Sequence, residues 1–178
     1  MTHEVTEARL LQSIVEVARQ VFKAAASSIF LTDHESGELV FAAVAGEGED
    51  HLLGTRFAPG TGIAGWVASC GQPLLADNVD HTPQFARSAA ESTGFVPRSI
   101  MAAPLLRDGE CLGVLEVLDR GDGNRGDLAD VDLLGLLATQ AALSLELLDD
   151  ARRVPRDDRS DIALRLLSAA EELIDGRR

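Results

Sequence analysis

Apolar and polar positions divide the chain into segments with two different periodicities. Between residues 4 and 23 apolar side chains recur every three or four positions, which predicts an amphipathic helix with two adjacent apolar stripes. Residues 28–32 and 38–45 are rich in apolar residues and flank a turn-forming link at 33–37, which indicates a β-hairpin. The two helical stripes are Leu11, Val15, Ala18 and Phe22, and beside them Leu10, Ile14, Val17 and Val21.

The rest of the chain continues this alternation of helices and hairpins. Asp108-Gly109 between two apolar runs is a strong hairpin signal, and Gly71 is placed to end a short helix. Tight hairpins imply an antiparallel sheet, so the pattern predicts an α+β fold of about five to six strands with helices on one face. The predicted segments are a short helix within 60–71, a strand at 73–77, a helix from Thr82-Pro83 to about Ala90, strands at 99–106 and 111–119, a long helix at 127–151, a break at 154–158 and an amphipathic helix at 160–174.

Composition and charge narrow the function classes. The chain has 178 residues, 46% of them hydrophobic and 25% charged, which is ordinary for a globular domain. A formal net charge of −13 argues against nucleic acid as a partner, because phosphate binding needs a basic surface. No apolar run approaches the roughly 20 residues that span a bilayer, and the N-terminus lacks a signal-peptide profile. We therefore expect a cytoplasmic protein with no membrane partner.

A glycine-rich segment, Gly60-Thr61-Gly62-Ile63-Ala64-Gly65, matches the G-x-G-x-x-G pattern of dinucleotide-binding folds. Its context does not fit that fold, because the preceding segment carries Pro59 and the following helix is too short for a parallel crossover. The pattern instead indicates a tight turn into a helix N-terminus, where exposed backbone amides can hold an anion.

At this turn the sequence begins to resemble a GAF domain, the sensor module of phytochromes, cyclic-nucleotide phosphodiesterases and many bacterial regulators. The similar segments are 62–68 with 71–74, 77–79 with 83–85, and the second hairpin at 99–105 and 112–117. The resemblance implies a pocket on the sheet face opposite the terminal helices. It divides the chain into a sensory domain at 1–151 and a linker with a further amphipathic helix at 152–178.

The phosphodiesterase-type domains resemble this chain best, and this resemblance makes a cyclic nucleotide one candidate ligand. By position, the resemblance assigns ligand-binding roles to Ser28, Ile63, Ala64, Phe85, Thr93 and Glu116. The aspartate and a second threonine of that pocket fall on Ala45 and Pro97 here. The resemblance also implies an ion pair between Arg120 and Asp130.

Three functions are compatible with this sequence. The first is a regulatory domain that binds a small molecule, a cyclic nucleotide or another compound, without catalytic chemistry of its own. The second is a GAF-type free methionine sulfoxide reductase that uses Cys70 and Cys111, and the third is a dimerisation module with an empty pocket. The four histidines show no metal-ligand spacing, so neither a metal nor a cofactor is expected.

The long helix at 127–151 has more apolar surface than one sheet face needs. Leu134, Ala141 and Leu148 repeat at intervals of seven, with Ala138 and Leu145 between them, as in a coiled-coil seam. A surplus apolar stripe normally marks a partner, so this seam and the helix at 8–22 predict a homodimer formed by the terminal helices.

Overall fold

The computed structural model describes residues 2–121 and 128–153. In these ranges one antiparallel sheet of six strands runs in the order β3-β2-β1-β6-β5-β4. The elements are α1 (Thr2–Val21), β1 (Ala26–Thr32), β2 (Leu39–Gly46), β3 (Arg56–Phe57), α2 (Gly62–Cys70), β4 (Leu74–Ala76), a 3₁₀ turn (Val79–His81), α3 (Arg87–Ser92), β5 (Ile100–Arg107), β6 (Glu110–Leu118) and α4 (Leu128–Arg153).

The predicted α+β class and the antiparallel sheet are confirmed. The turn between β5 and β6 has positive φ at both Asp108 and Gly109, as a two-residue hairpin turn requires. Gly71 ends α2 in the left-handed conformation, with φ of 67°. The predicted helix at Thr82-Pro83 is wrong in its start, because α3 begins only at Arg87. The two-residue edge strand β3 was not predicted.

Each face of the sheet carries its own apolar core. On one face α1 and α4 cover Ile29, Met101 and Leu115, and the first stripe of α1 is completely buried there. On the other face α2 packs over Phe30, Val114 and their neighbours. Because strand side chains alternate between faces, successive residues of β1 and β6 serve the two cores in turn.

The apolar seam predicted on the long helix faces the protein's own core. Leu134, Ala138 and Ala141 are fully buried in the core of the helix-covered face. Leu136 and Leu143 lie on the opposite side of α4 and are 68% and 55% exposed. The predicted location of the dimer seam is therefore wrong, and the apolar surface available to a partner is a different one.

The chain divides into two compact units, residues 1–145 and 146–178. Of the second unit the structure describes only residues 146–153, the end of α4, so the predicted break at 154–158 and the helix at 160–174 lie outside the described residues. By length and composition alone, residues Ala129–Arg153 are long and apolar enough to span a bilayer, contrary to the expectation from sequence. Core helices of globular proteins can meet the same criterion, and the absence of a membrane partner stays a prediction.

Arg120 ties three elements together at one end of the sheet. Its side chain is 4% exposed, and the guanidinium pairs with Asp130 in the first turn of α4 at 3.1 Å, which confirms the ion pair expected from sequence. It also pairs with Asp77, just beyond β4, at 2.7 Å. Of the described side-chain nitrogen and oxygen atoms that solvent cannot reach at all, Arg120 Nε alone has no hydrogen-bond partner.

Asp119 is a second anchor at this end and supports a stability prediction. It has a left-handed backbone, with φ of 49°, and its carboxylate accepts hydrogen bonds from the Arg98 and Ser99 amides at 2.7 and 2.9 Å. We expect Asp119→Ala to lower the free energy of unfolding by about 2 kcal/mol, measured by urea denaturation. Asp108→Ala changes another left-handed aspartate, in a hairpin turn, and should cost about 1 kcal/mol. Equal losses for the two variants would assign the effect to the backbone alone.

Candidate ligand pocket

A pocket lies on the face of the sheet opposite α1 and α4, between the strands, α2 and α3. It has a cavity volume of about 80 Å³. All six residues predicted as ligand contacts line this one pocket: Ser28, Ile63, Ala64, Phe85, Thr93 and Glu116. The structure therefore brings together the positions that the sequence singled out, while their role in binding stays a prediction.

The floor of the pocket carries two polar side chains on directly paired residues. Ser28 of β1 and Glu116 of β6 are opposite each other in the antiparallel ladder and are 4% and 7% exposed. Within the described residues the Ser28 hydroxyl and the Glu116 carboxyl form no side-chain hydrogen bond, and both groups are open to the pocket rather than sealed inside the protein. Burial raises the pKa of Glu116 from 4.5 to about 7. Buried polar groups normally have partners, so these two can supply hydrogen bonds to a bound molecule.

The glycine turn places the N-terminus of α2 at the pocket wall. Gly60 and Gly62 have positive φ, and a Cβ on Gly65 would lie 2.4 Å from the Gly60 carbonyl carbon. The glycines therefore allow the chain to fold back tightly onto the first turn of the helix. Thr61, the N-cap, makes no side-chain capping bond, and Ile63 and Ala64 line the pocket. The first amides of a helix have no intrahelical acceptor, so they can donate to a ligand.

Aromatic side chains form much of the pocket wall, although the chain has only six phenylalanines and one tryptophan. Five of the six phenylalanines line the pocket: Phe30, Phe41, Phe57, Phe85 and Phe95. Phe30 lies 4.1 Å from Phe41 and 5.8 Å from Phe57 between ring centroids, so three of the rings form a contiguous cluster. The sequence analysis selected only Phe85, because the rings of β1, β2 and β3 meet through long-range strand pairing.

The segment around α3 covers one side of the pocket, and none of the residues of this helix is fully buried. Arg87 pairs with Asp80, and its guanidinium carbon lies 5.9 Å from the centre of the Phe85 ring. Across the opening, His51 Nε2 lies 3.0 Å from the carbonyl oxygen of Thr93, and as the protonated ring nitrogen it donates a hydrogen bond there. The Thr93 hydroxyl donates to the Ala90 carbonyl at 2.7 Å, so it caps α3 while lining the pocket.

Ala45 and Pro97, the two residues that depart from the phosphodiesterase pattern, lie in different parts of the structure. Pro97 lines the pocket, whereas Ala45 is buried in the core on the helix-covered face. Val44, opposite Ser28 in the ladder, lines the pocket instead. The missing carboxylate at Ala45 therefore removes nothing from this pocket. Glu47, exposed at the opening, is a carboxylate that the sequence analysis did not select.

Neither of the chain's two cysteines lines the pocket. Cys70 is exposed at the end of α2, and Cys111 is partly buried in β6. Burial raises the pKa of the Cys111 thiol, which reduces its thiolate fraction at neutral pH. A reaction of these thiols with a molecule in the pocket therefore requires a movement of the segments that carry them.

Comparison with known proteins agrees with the fold of the chain. The sequence profile described as GAF domain matches residues 7–145. The chain belongs to the GAF family. GAF domains are a regulatory, small-molecule-sensing fold, and this function applies to the chain at that general level. The matched range includes all the segments in which the sequence resembles the family.

Individual GAF relatives differ widely in what they do. A probable 3',5'-cyclic phosphodiesterase, pde-5 of Caenorhabditis elegans, is 26% identical over 166 residues, which cover 87% of this chain and 22% of the relative. The chain spans about a fifth of the length of the curated relatives that it matches. The GAF domain of a Coxiella burnetii phosphoenolpyruvate-protein phosphotransferase has a TM-score of 0.73 at 20% identity, with 83% of this chain and 87% of that chain covered.

One structural comparison contradicts an expectation from sequence. The free methionine-R-sulfoxide reductase of Neisseria meningitidis, solved with its substrate, is 26% identical to this GAF domain with a TM-score of 0.68. The alignment covers 82% of this chain and 81% of the reductase. Enzymes are therefore among the structures most similar to this domain, and the expectation that it has no catalytic chemistry is contradicted.

Proposed function

We propose that this GAF domain is a regulatory sensor that binds a small molecule in the pocket between the sheet, α2 and α3. The supporting observation is the floor of the pocket, where Ser28 and Glu116 are buried next to each other without hydrogen-bond partners among the described residues. A protein that needed only an apolar core would gain stability by replacing them with apolar residues. Their presence is explained by a ligand that uses them.

The ligand contacts follow from the positions of the lining groups. Ser28 and Glu116 accept hydrogen bonds from the ligand, and the amides at residues 63 and 64 donate to one of its oxygens. The phenylalanines, including Phe85, pack against an apolar or planar body, and Thr93 adds van der Waals contact from the α3 side. Cyclic nucleotides are natural first compounds to test, given the similarity to pde-5.

Thermal-shift screening tests the sensor proposal directly. A compound that binds only the folded protein raises Tm, by an amount that grows with its concentration. We expect a shift with at least one compound from a panel of cyclic nucleotides, amino acid derivatives and small amines. Ala90→Trp, which fills the pocket from α3, should abolish the shift, whereas Glu91→Trp adds the same ring at an exposed position and should preserve it. A shift that both variants retain would place the ligand elsewhere.

We further propose that the domain forms a homodimer through the outward faces of α1 and α4. Val17 and Val21 of α1 are 49% and 44% exposed, and Leu136 and Leu143 of α4 are more exposed still. Exposed apolar side chains repeated along two helices are typical of a helical interface. Such an interface would transmit the state of the pocket through the core that α1, α4 and the sheet share.

The dimer proposal predicts a charge-sensitive association. Leu136→Glu and Leu143→Glu, each alone, should raise the dimer dissociation constant at least tenfold, because a buried unpaired carboxylate is costly. Sedimentation equilibrium measures this constant, and Leu53→Glu is the control, because Leu53 is a 58% exposed leucine between β2 and β3, outside both helices. Wild-type protein that stays monomeric at high micromolar concentration would exclude this interface.

A second candidate function is reduction of free methionine sulfoxide, favoured by the likeness to the Neisseria enzyme. In that reaction two thiols give up two electrons and two protons, the sulfoxide oxygen leaves as water, and a disulfide forms. Formation of free methionine from the R-sulfoxide, with dithiothreitol as reductant, tests it. Turnover that is lost in both Cys70→Ser and Cys111→Ser would establish the reductase, whereas turnover unchanged in both would exclude these thiols as its active groups.

A further inference from the structure

The charged side chains that line the pocket are of one sign. Within the described residues they are Glu116 on the floor and Glu47 at the opening, and no lysine, arginine or histidine lines the pocket. The nearby basic groups have other partners, because Arg87 pairs with Asp80 and His51 contacts the Thr93 carbonyl. A ligand therefore meets two carboxyl groups and no cationic side chain.

The residues around Glu116 in the sheet provide no positive charge to balance its carboxyl group. Its direct neighbours in the sheet are Ser28 on β1 and Ala102 on β5, and neither carries a charge. α2 and α3 contribute no titratable side chain to the pocket, so Glu47 is the other titratable group that faces it among the described residues. An ionised carboxylate in such a place is stable only when a positive partner accompanies it.

The aromatic walls suit the same kind of partner. Phenylalanine faces carry partial negative charge and attract organic cations that have left water. Five such rings, together with a buried carboxyl, make a site in which a cation keeps favourable contacts on several sides. The amides at the start of α2 favour a partial negative charge, but they act over one turn only and can serve a neutral oxygen equally well.

We propose that the pocket binds a small organic cation, in which a protonated amine or amidine lies against Glu116 and Ser28 while an apolar or aromatic body fills the phenylalanine-lined part. This inference rests on the proposed sensor function and specifies its ligand class. The overall charge of −13 adds to it, because an acidic protein raises the local concentration of cations.

Three probes with one body and different head groups test the charge preference. They are 2-phenylethylammonium, 2-phenylethanol and 3-phenylpropanoate, measured by isothermal titration calorimetry with the full chain at pH 8. We expect the amine to bind at least about tenfold more tightly than the alcohol, and the carboxylate to bind most weakly. Glu116→Gln should remove the advantage of the amine and leave the alcohol within about twofold. Glu47→Gln is the matched control and should weaken the amine less than Glu116→Gln does.

The pH dependence supplies an independent readout. A cation prefers ionised Glu116, so its binding competes with the proton that this group holds below about pH 7. Amine affinity should fall as pH decreases from 7 to 5, approaching tenfold per pH unit, and should be nearly flat between pH 8 and pH 9, where the amine is still protonated. The Glu116→Gln variant should lack this dependence.

Several results would overturn the cation assignment. These are carboxylate binding as tight as amine binding, amine binding that Glu116→Gln leaves unchanged, or no amine binding at millimolar concentration. A Tm shift with an anionic compound alone, blocked by Ala90→Trp, would overturn the cation assignment but support the sensor function. No shift with any compound would count against both.

Discussion

The unliganded wild-type protein is expected to lose about 3 kcal/mol of its free energy of unfolding between pH 4.5 and pH 8, and Glu116→Gln is expected to abolish this loss. In the unfolded chain the carboxyl ionises near its ordinary value of 4.5, whereas burial keeps it protonated in the folded protein up to about pH 7. Between these values unfolding releases a proton, so rising pH favours the unfolded state. Below 4.5 the effect is absent, and above 7 the loss is complete.

Urea denaturation of both proteins across this pH range measures the effect. The difference in free energy of unfolding between variant and wild type should grow with pH and then level off above pH 7. Glu47→Gln controls for the removal of a carboxyl group at the same pocket, and because Glu47 is exposed its curve should follow that of the wild type. Parallel curves for Glu116→Gln and wild type would show that Glu116 is hydrated and titrates normally.

Gly65→Ala is expected to destabilise the protein by about 3 kcal/mol and to disturb the pocket. The added Cβ would lie 2.4 Å from the Gly60 carbonyl carbon and 2.7 Å from its Cα, and a backbone cannot move aside as a flexible side chain can. The turn would have to open, which shifts the start of α2 at residues 62–64. Any compound found to bind the pocket should therefore lose affinity in this variant.

Gly135→Ala is the matched control for Gly65→Ala. Gly135 lies in α4, with open space around an added Cβ, so alanine should stabilise the protein by about 0.5–1 kcal/mol. Guanidinium denaturation at constant pH measures both variants. A loss of less than 1 kcal/mol for Gly65→Ala would show that the turn adapts easily. Close packing against Gly60 would then not explain why residue 65 is a glycine.

The two predictions concern two walls of one site that are positioned by different means. Glu116 is held by pairing with β1 and β5, inside a ladder that fixes its direction. The amides of α2 are positioned by the glycine turn and so depend on three residues close in sequence. A sensor benefits from this combination, because the floor stays rigid while the α2 and α3 sides can adapt to a ligand.

The sequence by itself determined the elements that depend on local chemistry. The Asp108-Gly109 hairpin, the end of α2 at Gly71 and the buried stripe of α1 each follow from a few neighbouring residues, through allowed backbone angles or helical spacing. The position of Ser28 and Glu116 in one pocket came from the resemblance to GAF domains.

Only the tertiary structure decided which surfaces meet. The pairing of β1 with β2 shifts register between Ile29 and Phe30, and the ladder directs Val44 rather than Ala45 into the pocket. The buried stripe of α4, formed by Leu134, Ala138 and Ala141, and the exposed stripe at Leu136 and Leu143 are both apolar. The local sequence pattern cannot predict which of two apolar stripes is buried, nor which distant phenylalanines come into contact. That choice depends on long-range strand pairing, which brings residues about 90 positions apart, such as Ser28 and Glu116, onto one pocket floor.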